Sequence, residues 1–480
     1  MVRWPFCGIL LRNHGVEEVI MKRTCLLGII MAWVMIPAVL LAFPSVFPHG
    51  TTIYHPDKAF NGYTILTTQG HQTILIDMRG NVVKHWENVC NEEHPAKLLP
   101  GGHVMGATGD RGRLLGDEGS NDLSVVDWDG NIVWTYPKAG VHHDFQREGN
   151  PVGYYVPGMD PFVDKGKTLI LSHKVVEAGN KVSDKPLYDD FILEVDYEGN
   201  VLFEWLASKY VSKMGFDRTA RIVMYRYPNY VMTRTRGVVG GDWIHINAVS
   251  WLGSNKWYDQ GDKRFHPDNI IYDGRQTNTT GIIDRKTGEI VWHLGPDFEA
   301  TKALRKIGPT IGLHHAHMIP QGLPGEGNIL MFDNGGYGGY GAPNPGAPTG
   351  LNNVKRDYSR VLEIDPITLK IVWEYDANKA GNRDRVKFYS DYVSSAQRLP
   401  NGNTLITEGA FGRIFEVTPQ YETVWEYVSP YYGEKENFNL VYRAYRVPYD
   451  YVPQLGELKE EAIIPPENAT IRLSDLTTTR

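Results

Sequence analysis

The chain has 480 residues, 49 Lys+Arg against 56 Asp+Glu for a formal charge of −7, and is 42% hydrophobic and 22% charged. That balance excludes wholesale disorder, collagen and coiled coil, and a mildly acidic chain without basic runs makes a poor nucleic-acid binder, because phosphate affinity needs clustered Lys and Arg. The 27 Tyr, 12 Trp and 50 Gly favour β-structure with many turns.

Leu26–Phe43 is an 18-residue stretch without a charge, preceded by Lys22 and Arg23 and followed by no Lys or Arg until Lys58. Such a run is a signal peptide or one short membrane helix, and the charge bias puts everything after it outside the cytoplasm. Its length sits at the spanning threshold. Leu40 stands where cleavage after Ala42 would want a small residue, so an uncleaved anchor over 26–43 is expected. Met21-Lys22-Arg23 also reads as a start of its own. The expected organisation is 1–49 as signal or anchor, 50–450 as an extracytoplasmic body, periplasmic or at the cell surface, and 451–480 as a C-terminal tail. Of Cys7, Cys25 and Cys90, only Cys90 lies beyond the anchor, so the body has no internal disulfide and no thiol pair for zinc or redox chemistry.

One pattern then recurs: an alternating apolar strand, an acidic residue or turn, and a second strand ending in aromatics. It reads Thr73–Trp86, Leu123–Tyr136, Phe191–Trp205, Gly281–Trp292, Arg360–Tyr375 and Arg413–Tyr427. The Asp-x-x-Gly-Asn and Lys-Thr-Gly-Glu segments inside it are hairpin turns. A second pattern, strand–turn–strand, precedes most copies, as in 96–108, 314–335 and 395–409. Four strands per unit in six tandem units, without helical periodicity between them, predict an all-β, six-bladed β-propeller. Ser208–Gly241 and Gly335–Asn353 are the long loops, the second a candidate lid or contact surface.

In a propeller the first strand of each blade lines the axis, so equivalent positions converge. The starts of those strands carry His94, His142-His143-Asp144, Asp242-Trp243-Ile244-His245-Ile246-Asn247 and His314-His315-Ala316-His317, seven of the 16 histidines, before Ser394-Ser395-Ala396-Gln397 breaks the series. One member of each adjacent pair faces away from the axis. Converging imidazoles can bind a metal, act as acid or base, or serve as nucleophile. Asp144 and Asp242 are near enough in sequence to leave a metal open, but no metal ligand set is assigned and no cofactor is expected. An inward Arg360 or Arg413, each opening a third strand, would suit a sulfate or phosphate; the alternative is a surface arginine paired with a loop carboxylate.

The segments 142–145 (HHDF), 242–251 (DWIHINAVSW), 314–335, 359–365 (SRVLEID), 395–409 and the opening 61–86 together resemble the bacterial arylsulfotransferase family, over nearly all of 60–430. The resemblance implies an exported six-bladed propeller that moves a sulfuryl group from an aryl sulfate donor to a phenolic acceptor without a nucleotide donor. It implies ping-pong transfer through a sulfated histidine that follows an arginine in the chain. Carried over by motif, His245, His315 and Arg360 are the catalytic residues, and His143, Asn247 and His317 are assigned to substrate binding. No histidine occurs among the 163 residues after His317, hence none after Arg360. His143 or His317 as nucleophile, single-step transfer, or a changed reaction would each accommodate that departure. The competing expectation is a non-catalytic extracytoplasmic binding propeller, and a metal-dependent hydrolase is a weaker one. Membrane attachment rests on the N-terminal segment; the sequence does not fix an oligomeric state.

Overall fold

In five of the six repeats an acidic side chain bends the chain before the outer strand is laid down; in the sixth the Thr418 hydroxyl accepts the Glu422 N–H (3.2 Å). Asp77 accepts the backbone N–H groups of Arg79 and Asn81, and Asp127 and Asp196 take those of Asn131 and Asn200. Asp284 and Asp365 do the same in the fourth and fifth units. These Asx turns satisfy the N–H groups that a tight hairpin would otherwise leave bare.

The structure is a computed structural model and describes residues 48–465 apart from 70–71, 88, 91–93, 110–120, 138, 233–238, 434–437 and 457. The hairpins sit in six sheets of at least four strands, antiparallel apart from one parallel bridge of Leu187 with Gly241. From the axis outward, blade 2 is Lys97–Leu99, His103–Gly109, Asn121–Val126 and Ile132–Tyr136, and blade 3 is Val141–Arg147, Thr168–Val176, Leu187–Val195 and Val201–Leu206. Blade 4 is Ile246–Trp251, Ile270–Gly274, Thr279–Ile283 and Ile290–Leu294; blade 5 is His314–Met318, Ile329–Asp333, Arg360–Ile364 and Ile371–Tyr375. Blade 6 is Ser395–Arg398, Thr404–Glu408, Arg413–Val417 and Thr423–Val428. The all-β six-bladed propeller is therefore present, and all six sequence repeats are the third and fourth strands of their blades.

Blade 1 closes the ring. Its outer three strands, Tyr63–Thr68, Gln72–Ile76 and Val82–Glu87, come from the start of the body, and its axial strand, Ala444–Val447, comes from the end. Gly50–Tyr54 adds a fifth strand to the rim of blade 6, with Gly50 opposite Val428. Residues 451–465, expected as a tail, lie on the ring: Ile463 bridges Tyr54, and Gln454 donates to the Gly101 carbonyl. The anchor expected over 26–43 lies outside the described residues; among those described, no helix is long and apolar enough to cross a membrane.

The strand-end aromatics clasp neighbouring blades. Trp86 donates its indole N–H to the Asp127 carbonyl (3.1 Å), Trp134 to Tyr197 (2.9 Å), Trp205 to Gly288 (3.0 Å), Trp292 to Pro366 (2.9 Å), Trp373 to Pro419 (3.1 Å) and Trp425 to Met78 (2.8 Å). Each acceptor is in the third-to-fourth-strand turn of the next blade, and the sixth bond runs from blade 6 back to blade 1.

The axial strands all begin on one face, which also carries the second-to-third-strand connections; the first-to-second-strand loops and the hairpin turns occupy the other. Two insertions build up the first face. One joins blades 3 and 4 and holds the helix Arg218–Arg226, N-capped by Asp217. The other is the hairpin Tyr337–Tyr340 with Leu351–Lys355 inside blade 5. It is fastened over blade 4: Tyr340 Oη donates to the Trp243 carbonyl (2.7 Å) and Gly339 N to that of Gln276 (2.8 Å).

Trp425→Phe keeps an aromatic ring but removes the buried bond to the Met78 carbonyl, which is left with the longer Thr51 hydroxyl bond (3.3 Å), and costs about 1 kcal/mol. The same change at Trp373, whose bond is solvent-exposed, costs less. Urea unfolding of the two variants checks the order.

Candidate active site

Three axial strands carry the same irregularity. The pairing register breaks between Ile170 and Ser172 opposite residues 141–145, between Ile246 and Ala248, and between His314 and His317. At these breaks His143, His245 and His315 have φ of +60°, +52° and +56°. A side chain in the left-handed region costs on the order of 1 kcal/mol, and a bulge there re-aims it. The same strained conformation, on the same residue type, on three successive blades marks these three rings as the ones aimed at the axis. His143 and His245 meet edge to face with centroids 4.9 Å apart.

Their hydrogen bonds fix a common polarity. His245 Nδ1 lies 2.6 Å from Asp242 Oδ2, and His315 Nδ1 lies 3.1 Å from the Ala396 carbonyl, so both carry the proton on Nδ1. For His143 the argument takes one more step. His142 Nε2 faces the Ser172 carbonyl at 3.0 Å and must donate to it. The His142 Nδ1 is then an acceptor, and the His143 Nδ1 at 3.0 Å is its donor. None of the three Nε2 atoms has a hydrogen-bond partner among the described residues, so each offers a lone pair or a proton to the pocket.

The remaining histidines are committed to the scaffold. His314 donates from Nδ1 to Asn334 Oδ1 (2.8 Å) and accepts the Val393 N–H on Nε2 (3.1 Å). His317 donates from Nδ1 to the His315 carbonyl (2.8 Å) and accepts the Tyr154 hydroxyl on Nε2 (3.0 Å), so it has no nitrogen left for a substrate. His94 Nε2 donates to the Val141 carbonyl. Asn247, expected to bind substrate, donates its side-chain NH2 to the Leu313 carbonyl and its backbone carbonyl accepts the Arg443 guanidinium at 2.5 Å, while its buried Oδ1 has no partner.

Arg360 is not brought to this ring. On the third strand of blade 5 it bonds Asp333 through Nε (2.8 Å) and the Ile307 carbonyl (3.0 Å), and pairs with Glu374 (3.5 Å). Arg413 is likewise paired, with Glu408 and Glu426. The arginine beside the histidines is Arg275, in the turn of blade 4 after Ile270–Gly274. Its backbone N–H bonds the His245 carbonyl (3.0 Å), its guanidinium lies 5.5 Å from the Tyr337 ring, and its buried Nε is unpartnered. It makes no salt bridge among the described residues. Its charge is felt by Asp242 and His314. A cation beside His245 that makes no salt bridge among the described residues is a site for an anion.

Beneath the pocket, Asp144 holds Lys97 (2.6 Å) and Arg443 (3.1 Å), all three fully buried. Sequence reading missed Arg443 because it belongs to the closing strand, whose alternation from Val441 to Val447 is the signal that could have revealed it. Arg275 was missed because it sits on a second-strand turn rather than at a strand start.

His142, His173 and Asp190 form the one grouping among the described residues with metal-ligand proximity. Its rings stack at 3.6 Å and 9°, so their lone pairs run parallel instead of converging, and His142 Nε2 is already bonded to Ser172. That arrangement does not suit tetrahedral coordination.

Burial holds His94 and His317 down at about 4 and His142, His143, His314 and His315 well below the usual histidine value. The unfolded chain therefore binds protons below about pH 6.5 that the fold refuses, and each such histidine removes up to about 1.4 kcal/mol of stability per pH unit on acidification. Asp189 and Asp273, pushed up by burial to about 6 and about 7, act in the opposite sense. Urea unfolding of His317→Gln between pH 6.5 and 4 isolates one histidine: its loss of stability on acidification is expected to be shallower than that of the parent by about one proton.

No curated protein matches the chain. Among solved structures, a protein of unknown function from Bacteroides caccae overlaps with a TM-score of 0.42 at 11% identity, covering 81% of this chain and 99% of its own. Apo AztD from Citrobacter koseri gives 0.36 at 10% identity, covering 81% and 98%. Overlaps this loose bear on neither blade count nor chemistry, which rest on the strand pairing and side chains above. The sequence model of one family, Arylsulfotransferase (ASST), matches residues 160–439, from blade 3 into the closing segment and including Arg275, His245 and His315. The chain belongs to the arylsulfotransferase family.

Proposed function

We propose that the protein transfers a sulfuryl group from an aryl sulfate to a phenolic acceptor, with His315 as nucleophile, His245 as acid and base, and Arg275 as the sulfuryl-binding arginine. The observation that carries this reading is Arg275, which makes no salt bridge among the described residues and lies beside His245, on an axis where three imidazoles keep an open Nε2. It also removes the difficulty of chain order. A histidine that must follow the site arginine is missing if that arginine is Arg360, but His315 follows Arg275, one blade on. The lack of any histidine after His317 then gives no ground for a non-catalytic channel.

Burial keeps His315 neutral, the form a nucleophile needs. Its Nε2 attacks sulfur, the S–O bond breaks, and the electron pair leaves on the phenolate oxygen. His245 Nε2–H protonates that oxygen, while Asp242 holds the ring and offsets the charge of its protonated form. Although burial raises it, the His245 ring beside Asp242 holds that carboxyl below the usual range, so it is an anion at neutral pH. In the second half His245 takes the proton of the acceptor phenol, the phenolate attacks sulfur, and the N–S bond returns its electrons to His315. Arg275 binds the sulfuryl oxygens throughout, where the charge shifts during both displacements. His143 is the third open imidazole; neutral and with its proton on Nδ1, it packs edge to face on His245 and leaves an acceptor Nε2.

Purified protein given a chromogenic aryl sulfate and a phenol tests this: phenolate release stimulated by the acceptor, with a sulfated acceptor formed, is expected, and no release under any condition leaves a binding propeller. His315→Ala abolishes transfer with the fold intact, and wild-type-like transfer in that variant overturns the assignment. Removing a charge-bearing contact from a transition state costs roughly 10²–10³ in rate. Arg275→Ala is expected to lose that much, whereas Arg360→Lys is expected to lower stability more than turnover.

A further inference from the structure

The helix Arg218–Arg226 turns part of its apolar surface outward. Ala220, Val223 and Met224 are buried, but Ile222 and Tyr225 are exposed by 42% and 49%, one turn apart on the free side. Tyr227 and Tyr230 continue the exposed stripe beyond the helix, and Tyr337 stands exposed on the neighbouring hairpin. Cations are interleaved with these groups: Arg218 and Arg226 are exposed, Arg221 is half-buried, and Lys185 lies within 6 Å of both the Tyr227 and Tyr230 rings. Tyrosine, whose ring is apolar and whose hydroxyl is wet, alternating with arginine is the composition of a surface that rests at the boundary of a bilayer.

The helix belongs to the face on which the axial strands begin, since Ser183 Oγ and Lys185 Nζ of the blade 3 connection bond its last carbonyls, at Tyr225 and Arg226. The chain enters the ring on that same face. Gly50 pairs with Val428, at the end of the outer strand of blade 6, and Ser429 beyond it bonds the Gly412 carbonyl of that blade's second-to-third-strand connection. The uncharged run expected as an anchor ends at Phe43, shortly before this entry point. Blade 6 and the blade 3–4 insertion stand on opposite sides of the ring, so entry point and aromatic–arginine stripe flank the mouth of the histidine pocket.

We infer that the stripe formed by Arg218, Ile222, Tyr225, Arg226, Tyr227 and Tyr230 docks on the surface of an anionic phospholipid bilayer, so that the histidine pocket opens toward the membrane. The arginines take the headgroup phosphates, and Ile222 with the tyrosine rings enters the headgroup region. The inference is independent of the transfer chemistry and holds or fails whether or not the protein turns over an aryl sulfate.

The test uses the full chain with Cys7→Ser and Cys25→Ser, which leaves only the buried Cys90, and a single added Ile222→Cys carrying an environment-sensitive fluorophore. It is reconstituted in vesicles of phosphatidylcholine and phosphatidylglycerol containing a spin-labelled lipid quencher. Quenching at position 222, and none for the same label at Lys263→Cys on the opposite face, is the expected result. Adding Arg218→Glu, Arg221→Glu and Arg226→Glu is expected to cut the quenching severalfold with circular dichroism unchanged. An unquenched label at 222, equal quenching at both positions, or quenching indifferent to the three charge reversals overturns the inference.

Discussion

The structure depends on the tryptophan clasp between blades. A four-stranded sheet with one wet edge is not stable alone, and six of them make a ring only if each is fixed at a constant angle to the next. The indole N–H does this because it is a single donor on a large apolar plate. The plate fills the wedge between blades, and the donor finds a carbonyl that the neighbouring hairpin turn leaves free. Six such bonds, the last from Trp425 to Met78, return the chain to its start.

Ring closure also completes the candidate site. Three histidines are held in the left-handed region, a conformation that persists only where surrounding structure over-determines it. Asp273 accepts the backbone N–H groups of Asn247 (3.2 Å) and Ala316 (2.9 Å), and so ties the strand after His245 to the strand of His315. Asp144 does the same between blades 3 and 4 through the Val249 N–H, and it pairs with both Lys97 and Arg443. Arg443 arrives on the closing strand and bonds the Asn247 carbonyl. Burying such a group of charges is costly unless every partner is in place, so the floor of the pocket forms as the two ends of the body meet.

The blade count was legible because alternation, a tight turn (an Asx turn in five of the six units) and a terminal aromatic repeat with every unit, and each is local in sequence. The histidine ring was legible for the same reason: strand starts are readable, and equivalent starts converge. What one sequence does not show is which member of a pair faces in. His142 against His143, and His314 against His315, is decided by a bulge that depends on the neighbouring strand. Arg360 and Arg275 show the other limit. Both lie near strand ends in acidic surroundings, and only the fold reveals that Asp333 neutralises the first while the second keeps an unpartnered nitrogen beside His245.

That difference decides what the pocket can do. An arginine already satisfied by a carboxylate offers a substrate anion little, since the anion would have to displace a better-placed one. Arg275 makes no salt bridge among the described residues, and the left-handed bulges aim three imidazoles at the axis with their protons held on Nδ1. A tetrahedral sulfuryl group presents its oxygens to a donor and one electrophilic centre to a lone pair, and on the proposed reading Arg275 supplies the first and His315 the second. On that reading the chemistry follows less from any one histidine than from a ring geometry that brings equivalent strand positions onto one axis.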